Sequence, residues 1–246
     1  MTPIDMGDGT GTLGQGGLRN VSTFIGAIPD SENLQAHYAA RLLDGYSDGE
    51  TVDPFVDDNG SNDASATGSP TYRENRVNGQ PTVEYDGESD YHDTGIVPDT
   101  TQPRSVYVVW IVTDDGTNTA YSALDQSGTT DRFYNAYIES TDVRLGYGDT
   151  TNSGGSPTFN DFNISTNVYG NGDGEAWIDS TSQHTFNYTG VNDMSTSIFI
   201  GGRNNDGSLD TPLQGEIAEI LDYQADHDSD TRQNVWDYLN SIYGVF

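Results

Sequence analysis

The sequence contains no lysine and no cysteine, and basic residues of any kind are scarce. The chain has nine arginines and 39 acidic residues, which gives a formal net charge of −30. Without cysteine the chain can form neither a disulfide framework nor a thiolate zinc site, and it has no cysteine nucleophile. Because clusters of Lys and Arg are missing, it also lacks the positive surface that phosphate groups need, so we expect no nucleic-acid partner.

Long hydrophobic runs are absent as well. No stretch approaches the ~20 apolar residues that span a bilayer. The first residues do not join a basic region to an apolar run, so no signal peptide is predicted. The negative charge also disfavours binding to anionic membrane surfaces. We therefore expect no membrane insertion.

The acidity indicates the solvent in which the protein works. So many carboxylates repel one another in dilute buffer, but at 1 M salt the screening length shrinks to about 3 Å. Acidic side chains then hold water and hydrated cations at the surface. The composition predicts a halophilic protein from a hypersaline environment.

The residues that are abundant favour strands over helices. The chain has 29 glycines and 15 tyrosines, with turn signals throughout,. Residues 105–113 are an almost continuous run of β-branched and aromatic residues, which predicts a central strand covered on both faces. Further strands are predicted at residues 81–86, 119–124, 132–139, 143–147, 167–169, 175–179, 197–200 and 216–223. Short strands at this spacing predict an all-β sandwich of two antiparallel sheets.

The two ends of the chain differ from this pattern. Residues 1–27 are rich in glycine and small polar residues, and we interpret them as an extended N-terminal arm. Such an arm suits anchoring to other proteins or joining copies of the chain into a homo-oligomer; the alternative is an arm that lies along its own domain. Near the C-terminus, one apolar stripe contains Val235, Trp236, Leu239, Ile242 and Tyr243. This spacing predicts an amphipathic helix on the sandwich edge, capped by Asp228 or Ser229 and ended by Gly244.

Five short motifs in residues 28–246 occur in a characteristic order. They are NGQP at 78–81, VEYDG at 83–87, AWID at 176–179, IFIGG at 198–202 and GEIAEI at 215–220, followed by the predicted helix. In this order they resemble the laminin-G-like branch of the concanavalin A-like lectin/glucanase jelly rolls. Upstream, residues 48–60 resemble the loop before the family's first main strand, although Phe55 stands where Trp is more usual. The resemblance implies a jelly-roll β-sandwich.

Jelly rolls of this class serve as glycan binders, adhesion modules, hydrolases and inert spacers. Combined with the acidity and the arm, the resemblance implies a non-enzymatic protein on the surface of a virion that infects salt-adapted cells. As a turret, decoration or fibre subunit it would recognise host glycan or glycoprotein, while the arm binds other virion proteins. A purely structural decoration protein is the first alternative, and a polysaccharide hydrolase is the second.

Aromatic residues beside polar ones are candidate glycan ligands, because sugar C–H faces stack on rings while hydroxyl groups bond to polar side chains. One candidate group contains Arg132, Tyr134, Tyr137, Tyr147 and Asn152. A second contains Tyr121, Asp125, Asn205 and Asp206. Tyrosine is also a strand former that lines sandwich faces, so each ring could instead be structural.

Oxygen-rich turns are candidate sites for Ca²⁺ or other hydrated cations. Asn171 and Asp173 lie in one such turn, and Asn204 and Asp206 lie in another, although neither has EF-hand spacing. Acidic turns in so acidic a chain also occur without a metal. The four histidines are too far apart in sequence to predict a metal-binding pair,. No other cofactor is predicted.

A hydrolase of this fold would need two carboxylates close together on one strand face, about 5 Å apart for a retaining mechanism. Glu216, Glu219 and Asp222 lie in one predicted strand. In a regular strand Glu216 and Asp222 face one side and Glu219 faces the other. We therefore expect no such pair, and we expect Glu219 to accept hydrogen bonds from backbone or hydroxyl groups.

Overall fold

Two antiparallel β-sheets pack face to face in the computed structural model. The model describes residues 27–125, 131–139, 142–148, 150–170, 172–188 and 194–246, and for residues 125, 131–132, 145–148 and 150–153 it describes the backbone only. Strands are numbered along the chain. The core between the sheets contains residues such as Val83, Trp110, Phe133, Ile200 and Ile217. The predicted jelly-roll β-sandwich is confirmed.

Sheet one has eight strands. In spatial order they are β13 (Thr181–Asn187), β12 (Asp173–Ile178), β11 (Phe162–Tyr169), β6 (Arg104–Val112), β17 (Gln214–Tyr223), β4 (Gln80–Asp86) and β3 (Thr71–Val77). β1 (Leu34–Ala39) lies beside the second half of β17, where β4 no longer reaches. Short 3₁₀ turns, Ser31–Asn33 and Ala40–Leu42, flank β1.

Sheet two has nine strands. Seven of them follow the order β10 (Thr150–Ser153), β9 (Asp142–Gly148), β8 (Asp131–Glu139), β7 (Asn118–Asp125), β14 (Phe199–Ile200), β5 (Tyr91–Asp93) and β2 (Ser65–Thr67). The hairpin of β15 (Arg203–Asn205) and β16 (Ser208–Asp210) joins β7 through a parallel ladder from β15. All other pairings in the sheet are antiparallel.

The predicted central strand, β6, is covered on both faces. Trp110 and Val108 point into the core between the sheets. Tyr107 and Val109 point to the outer face of sheet one, where the C-terminal helix packs. A strand with two buried faces needs apolar residues at every position, and this is the pattern of residues 105–113.

The C-terminal helix α1 spans Ser229–Tyr243. Asp228 caps it by accepting a hydrogen bond from the backbone N–H of Thr231 at 2.8 Å, and Gly244 ends it in a left-handed conformation at φ 60°. The apolar stripe packs on Tyr107, Val109 and other outward residues of sheet one. The predicted position at the sandwich edge was therefore wrong, because the outward residues of β6, β11 and β17 form a broad apolar face, and the helix packs on this face.

β17 contains a bulge at Ala218. Ile217 pairs with Trp110 and Glu219 pairs with Val109, so Ala218 has no partner across the ladder. The extra residue turns Ala218 and Glu219 to the same face. Glu216 and Glu219 consequently share the outer face of sheet one, whereas Asp222 points into the sandwich. The predicted alternation was wrong at this strand because it assumed regular pleating.

β2 and β10 at the edges of sheet two were not predicted, and neither were two edge strands of sheet one, β3 and β13. β3 and β13 are mostly polar and carry several exposed residues, since only one neighbouring strand covers each of them,. The N-terminal arm lies outside the described residues except for residue 27, and it stays a prediction. Among the described residues, no helix is both long and apolar enough to cross a membrane.

Candidate functional site

An open cleft of about 350 Å³ lies on the outer face of sheet two, and we name it the Tyr91 cleft. Its lining residues are Tyr91, Asp93, Ser195, Thr196, Ser197, Phe199, Asn204, Asp206 and Gly207. β5 places the first two of these side chains outward because His92, between them, is fully buried,. The cleft therefore combines one aromatic wall with hydroxyl, amide and carboxylate groups, which is the composition of a polar-ligand site.

The aromatic wall is a stacked pair of rings. The centroids of Tyr91 and Phe199 are 4.2 Å apart, and the ring planes are 21° from parallel. Phe199 is buried at 2% exposure, whereas Tyr91 is partly exposed. Phe199 thus supports one face of Tyr91 and leaves the tyrosine at the cleft surface, where it can stack on a ligand.

A tight hairpin forms the opposite wall. Asp206 and Gly207 both have positive φ, 51° and 83°, as a two-residue type I′ turn between β15 and β16 requires,. Asn204 fixes this turn by accepting a hydrogen bond from Gly207 N at 2.7 Å. Its amide nitrogen donates to the carbonyl oxygen of Ser197 at 2.8 Å. The exposed carboxylate of Asp206 is therefore held beside the segment that leads into β14.

The segment before β14 supplies the floor. Thr94 Oγ1 donates to the carbonyl oxygen of Ile198 at 2.9 Å, which joins this segment to the end of β5. Asp93 Oδ1 accepts a hydrogen bond from Gly95 N at 2.9 Å. Thr196 is 8% exposed, and its Oγ1 has no hydrogen-bond partner among the described residues. A buried hydroxyl group without a partner is uncommon and favours contact with a ligand or water.

Tyr134 and Tyr137 lie elsewhere on sheet two. Their rings are in edge contact at 5.0 Å, and the guanidinium of Arg203 lies 5.5 Å from each centroid. Arg203 also forms an ion pair with Asp210. Each tyrosine is only 4% exposed, so this cluster presents little ring surface to a ligand.

Tyr121 lies inside the sandwich. It is fully buried, and its hydroxyl group donates to Asp222 Oδ2 at 2.6 Å. Asn205, predicted beside it, is half-buried on β15 and donates to Asp210 Oδ2 at 3.4 Å. The structure therefore separates Tyr121, which faces the core, from Asp206, which faces the cleft.

Four other candidate ligand residues fall where side chains are not described. Asp125, Arg132, Tyr147 and Asn152 lie on β7, β8, β9 and β10 respectively. Their predicted roles stay predictions.

The candidate calcium ligands are similarly divided. Asn171 lies outside the described residues, whereas Asp173 is exposed at the start of β12. Asn204 and Asp206 both belong to the Tyr91 cleft. In the part of the chain that the structure describes, no group of three or more His, Cys, Asp or Glu side chains is arranged to hold a metal ion. Calcium binding stays a prediction.

The carboxylates that a hydrolase would use are engaged in structural bonds. Glu216, 4% exposed, accepts hydrogen bonds from Arg76 and from Thr82 Oγ1 at 2.7 Å. Glu219 is fully buried and accepts from Tyr243, as expected for a hydroxyl donor, and from Arg41. These two share a face, but each is already paired with an arginine.

The residues of the cleft were not predicted as a group. Tyr91 follows a strand motif, but no neighbouring residue in the sequence marks it as a ring on which a sugar could stack. Residues 195–197 have the composition of an ordinary turn. The period-two alternation around His92, with polar or aromatic residues on either side, was the available signal for outward side chains. It could not show that β14 and the β15–β16 hairpin lie next to β5.

No known protein-family model matches this sequence, and no curated protein sequence matches it either. Solved structures do share the fold. The binding domain of botulinum neurotoxin serotype D superposes with a TM-score of 0.59 at 10% identity, covering 84% of this chain and 52% of that one. CBM40 of Ruminococcus gnavus IT-sialidase superposes with a TM-score of 0.50 at 14% identity, covering 61% of this chain and 92% of that one.

A third neighbour is a mutant of Trypanosoma rangeli sialidase that displays trans-sialidase activity. It superposes with a TM-score of 0.58 at 13% identity, and the match covers 88% of this chain but only 34% of that one. This chain thus spans about a third of the sialidase and about half of the toxin domain. At these identities the likeness establishes a β-sandwich fold, which is consistent with the resemblance seen in the motifs.

Proposed function

We propose that this chain is a non-enzymatic surface protein of a virion, and that it binds host glycan or glycoprotein through the Tyr91 cleft in a hypersaline medium. The observation that carries the proposal is the partly exposed ring of Tyr91, stacked on buried Phe199 and facing the hairpin that carries Asp206. A sugar ring can lie on the tyrosine while its hydroxyl groups bond to the polar wall.

The structural neighbours support glycan recognition in general. They include the carbohydrate-binding domain CBM40 of a sialidase and the receptor binding domain of a botulinum neurotoxin mosaic. The engagement of Glu216 and Glu219 supports a binding role over a hydrolytic one.

Binding of the purified chain to a glycan array and to envelopes of salt-adapted cells, both in molar KCl, tests the proposal. Replacing Tyr91 by Ala should weaken binding about tenfold, since it removes the aromatic platform. Tyr46→Ala is a matched control. Tyr46, like Tyr91, stacks on another aromatic ring, that of Tyr72, with the ring centroids 5.9 Å apart, but it lies outside the cleft. Unchanged binding by the Tyr91 variant would place the site elsewhere, and absence of any binding would favour the purely structural role.

The hypersaline part of the proposal has its own test. At a net charge of −30, lowering the salt lengthens the screening distance from about 3 Å at 1 M to about 10 Å at 0.1 M and restores repulsion,. We expect glycan binding and the folded state to weaken as KCl is diluted, with binding lost first. Far-ultraviolet circular dichroism on the same samples separates the two losses. Full binding and stability in dilute buffer would contradict the halophilic assignment.

The arm, residues 1–27, is proposed to anchor the subunit to other virion proteins or to join copies of the chain. Sedimentation of the full chain and of a chain that begins at residue 28, both in molar KCl, tests this. We expect only the full chain to form oligomers. Identical sedimentation of the two would leave the arm without a role in self-association.

A further inference from the structure

We infer that the Tyr91 cleft accepts neutral sugars and excludes glycans that carry carboxylate, sulfate or phosphate groups. This inference rests on the proposed function and specifies its ligand class. Among the described residues, the charged side chains that line the cleft are Asp93 and Asp206, and no described arginine or histidine lines it. Carboxylates accept hydrogen bonds from neutral sugar hydroxyl groups, but they repel an anionic substituent.

Elsewhere on the described surface, each arginine already has a carboxylate beside it. Seven of the nine arginines have described side chains, and every one of them lies within 4.0 Å of a carboxylate. The pairs are Arg41–Glu219, Arg73–Glu84, Arg76–Glu216, Arg104–Asp222, Arg144–Glu139, Arg203–Asp210 and Arg232–Glu175. An anionic sugar bound at one of these guanidinium groups would therefore also meet the negative charge of its carboxylate partner.

Three of the four histidines are shifted toward the neutral form. Burial lowers the pKa of His92 to about 4, and it also lowers the pKa values of His184 and His227. His37 is buried between Glu219 and Asp58. An anionic group in the cleft would therefore lie beside Asp93 and Asp206 without a positive partner lining the cleft among the described residues. At contact distance, close to the screening length of about 3 Å at 1 M salt, this repulsion is only partly screened.

Thr196 provides the second observation that points to a ligand. It is more than nine-tenths buried, it lines the cleft, and its Oγ1 has no partner among the described residues. A hydroxyl group can both donate to and accept from a sugar hydroxyl. Together with Asp93, Asp206 and the Tyr91 ring, Thr196 completes a wall suited to an uncharged polyol.

Pairs of glycans that differ only in a terminal charged group test the inference in molar KCl. The probes are galactose-, glucose- and mannose-terminated oligosaccharides and the same oligosaccharides after sialylation or sulfation. We expect at least one neutral member to bind, with a preference of about tenfold or more over its charged counterpart. The double variant Asp93→Asn with Asp206→Asn should reduce that preference. Asn keeps an acceptor for Gly95 N and tolerates the left-handed backbone at position 206,.

Thr196→Val separates a ligand contact from a structural role. Valine has nearly the shape of threonine, and replacing an unpartnered buried hydroxyl should leave the thermal midpoint unchanged or raise it. Neutral glycan binding should nevertheless weaken about fivefold, as expected for one lost hydrogen bond. Unchanged glycan binding in this variant would remove Thr196 from the site and overturn the role assigned to it.

Other outcomes bear on the ligand class. Tyr91-dependent binding of charged glycans as tight as that of neutral ones would overturn the selectivity while leaving the proposed glycan-binding function intact. Charged-glycan binding that requires Ca²⁺ and disappears with EGTA would also overturn it, by showing a bridging cation. Failure to bind any glycan would remove both the inference and the proposed function.

Discussion

Tyr243 donates a hydrogen bond from its hydroxyl group to Glu219 Oε2 at 2.6 Å, joining α1 to strand β17. Glu219 is fully buried, with His37 Nε2 at 2.8 Å from Oε1 and Arg41 Nε at 2.9 Å from Oε2. Burial opposes ionisation of this carboxyl group, but the hydrogen bond from His37 and the charge of Arg41 outweigh it and lower the pKa of Glu219,. The carboxylate thus holds β1, the following turn and the helix together.

Glu219→Gln should destabilise the fold by about 3–5 kcal/mol, because it leaves the guanidinium of Arg41 buried without its counter-charge. Glu84→Gln is the matched control. Glu84 pairs with Arg73, but both side chains are more than a third exposed, so the expected loss is below about 1 kcal/mol,. Denaturant unfolding in molar KCl measures both. Equal losses in the two variants would mean that Glu219 has no special structural role.

His92 should make stability depend on pH. Its Nε2 lies 2.9 Å from the carbonyl oxygen of Val52, and its Nδ1 lies 3.0 Å from the hydroxyl group of Tyr85. Since a carbonyl only accepts, Nε2 carries the proton and Nδ1 accepts from Tyr85. The folded state thus holds a neutral imidazole, with a pKa lowered by burial to about 4.

The direction in which the unfolding free energy changes with pH follows from proton uptake on unfolding. Between pH 6.5 and 4 the unfolded chain protonates His92 and the folded chain does not,. The stability that His92 contributes is fully present above pH 6.5 and falls by about 3 kcal/mol as the pH drops through 4,. Unfolding free energies across this range should show the fall in the wild type and a shallower one in His92→Gln. An NMR titration in which the His92 ring protonates near pH 6.5 would refute this assignment.

Tyr121→Phe tests whether Tyr121 is structural. The variant keeps the ring but removes the hydroxyl donor to Asp222, which is fully buried and ion-paired with Arg104. Because the acceptor is charged, we expect a loss of about 1.5–3 kcal/mol in unfolding free energy. Tyr38→Phe is the control with a neutral acceptor, the carbonyl oxygen of Asn62, and should cost about 1 kcal/mol,.

Glycan binding by the Tyr121→Phe variant provides a second measurement. The hydroxyl group points into the sandwich, so folded Tyr121→Phe should bind glycans as the wild type does. Weaker binding at unchanged stability would instead support the ligand-binding role that the sequence suggested for Tyr121.

The elements with strong sequence patterns were predictable. β6 carries apolar residues at nearly every position, and α1 carries a cap, an apolar stripe and a terminal glycine, so each pattern has one structural solution. The edge strands were not predictable because polar, exposed edges resemble turns in composition.

The candidate site could not be assembled from the sequence for a different reason. Tyr91 and Asp206 are distant in the chain, and they become neighbours only because β14 pairs with β5 while the β15–β16 hairpin attaches to β7. Tyr134 and Tyr137, and not Tyr91, were among the aromatic residues predicted to stack on a sugar, yet Arg203 and close packing cover their rings. Which tyrosine remains accessible depends on tertiary packing, and local composition does not encode it.

Because Ala218 is the extra residue of a bulge, we expect the fold to tolerate its deletion from β17,. Removing Ala218 leaves Ile217 and Glu219 opposite Trp110 and Val109, their present partners, so every remaining side chain keeps its face,. We expect this variant to fold and to lose about 1–3 kcal/mol, from the buried methyl group and the altered twist of the strand.

Deleting Leu221 is the matched control, because Leu221 lies in the regular part of β17, opposite Tyr107. Its removal shifts the pairing by one residue, so that Asp222 turns to the helix side and Tyr223 turns into the sandwich. That exchange breaks the ion pair with Arg104 and crowds the core, so we expect no folded protein. Circular dichroism and denaturant unfolding of the two deletions should therefore give opposite results. Equal disruption by both would show that the bulge is a required bend in β17 and not a removable insertion.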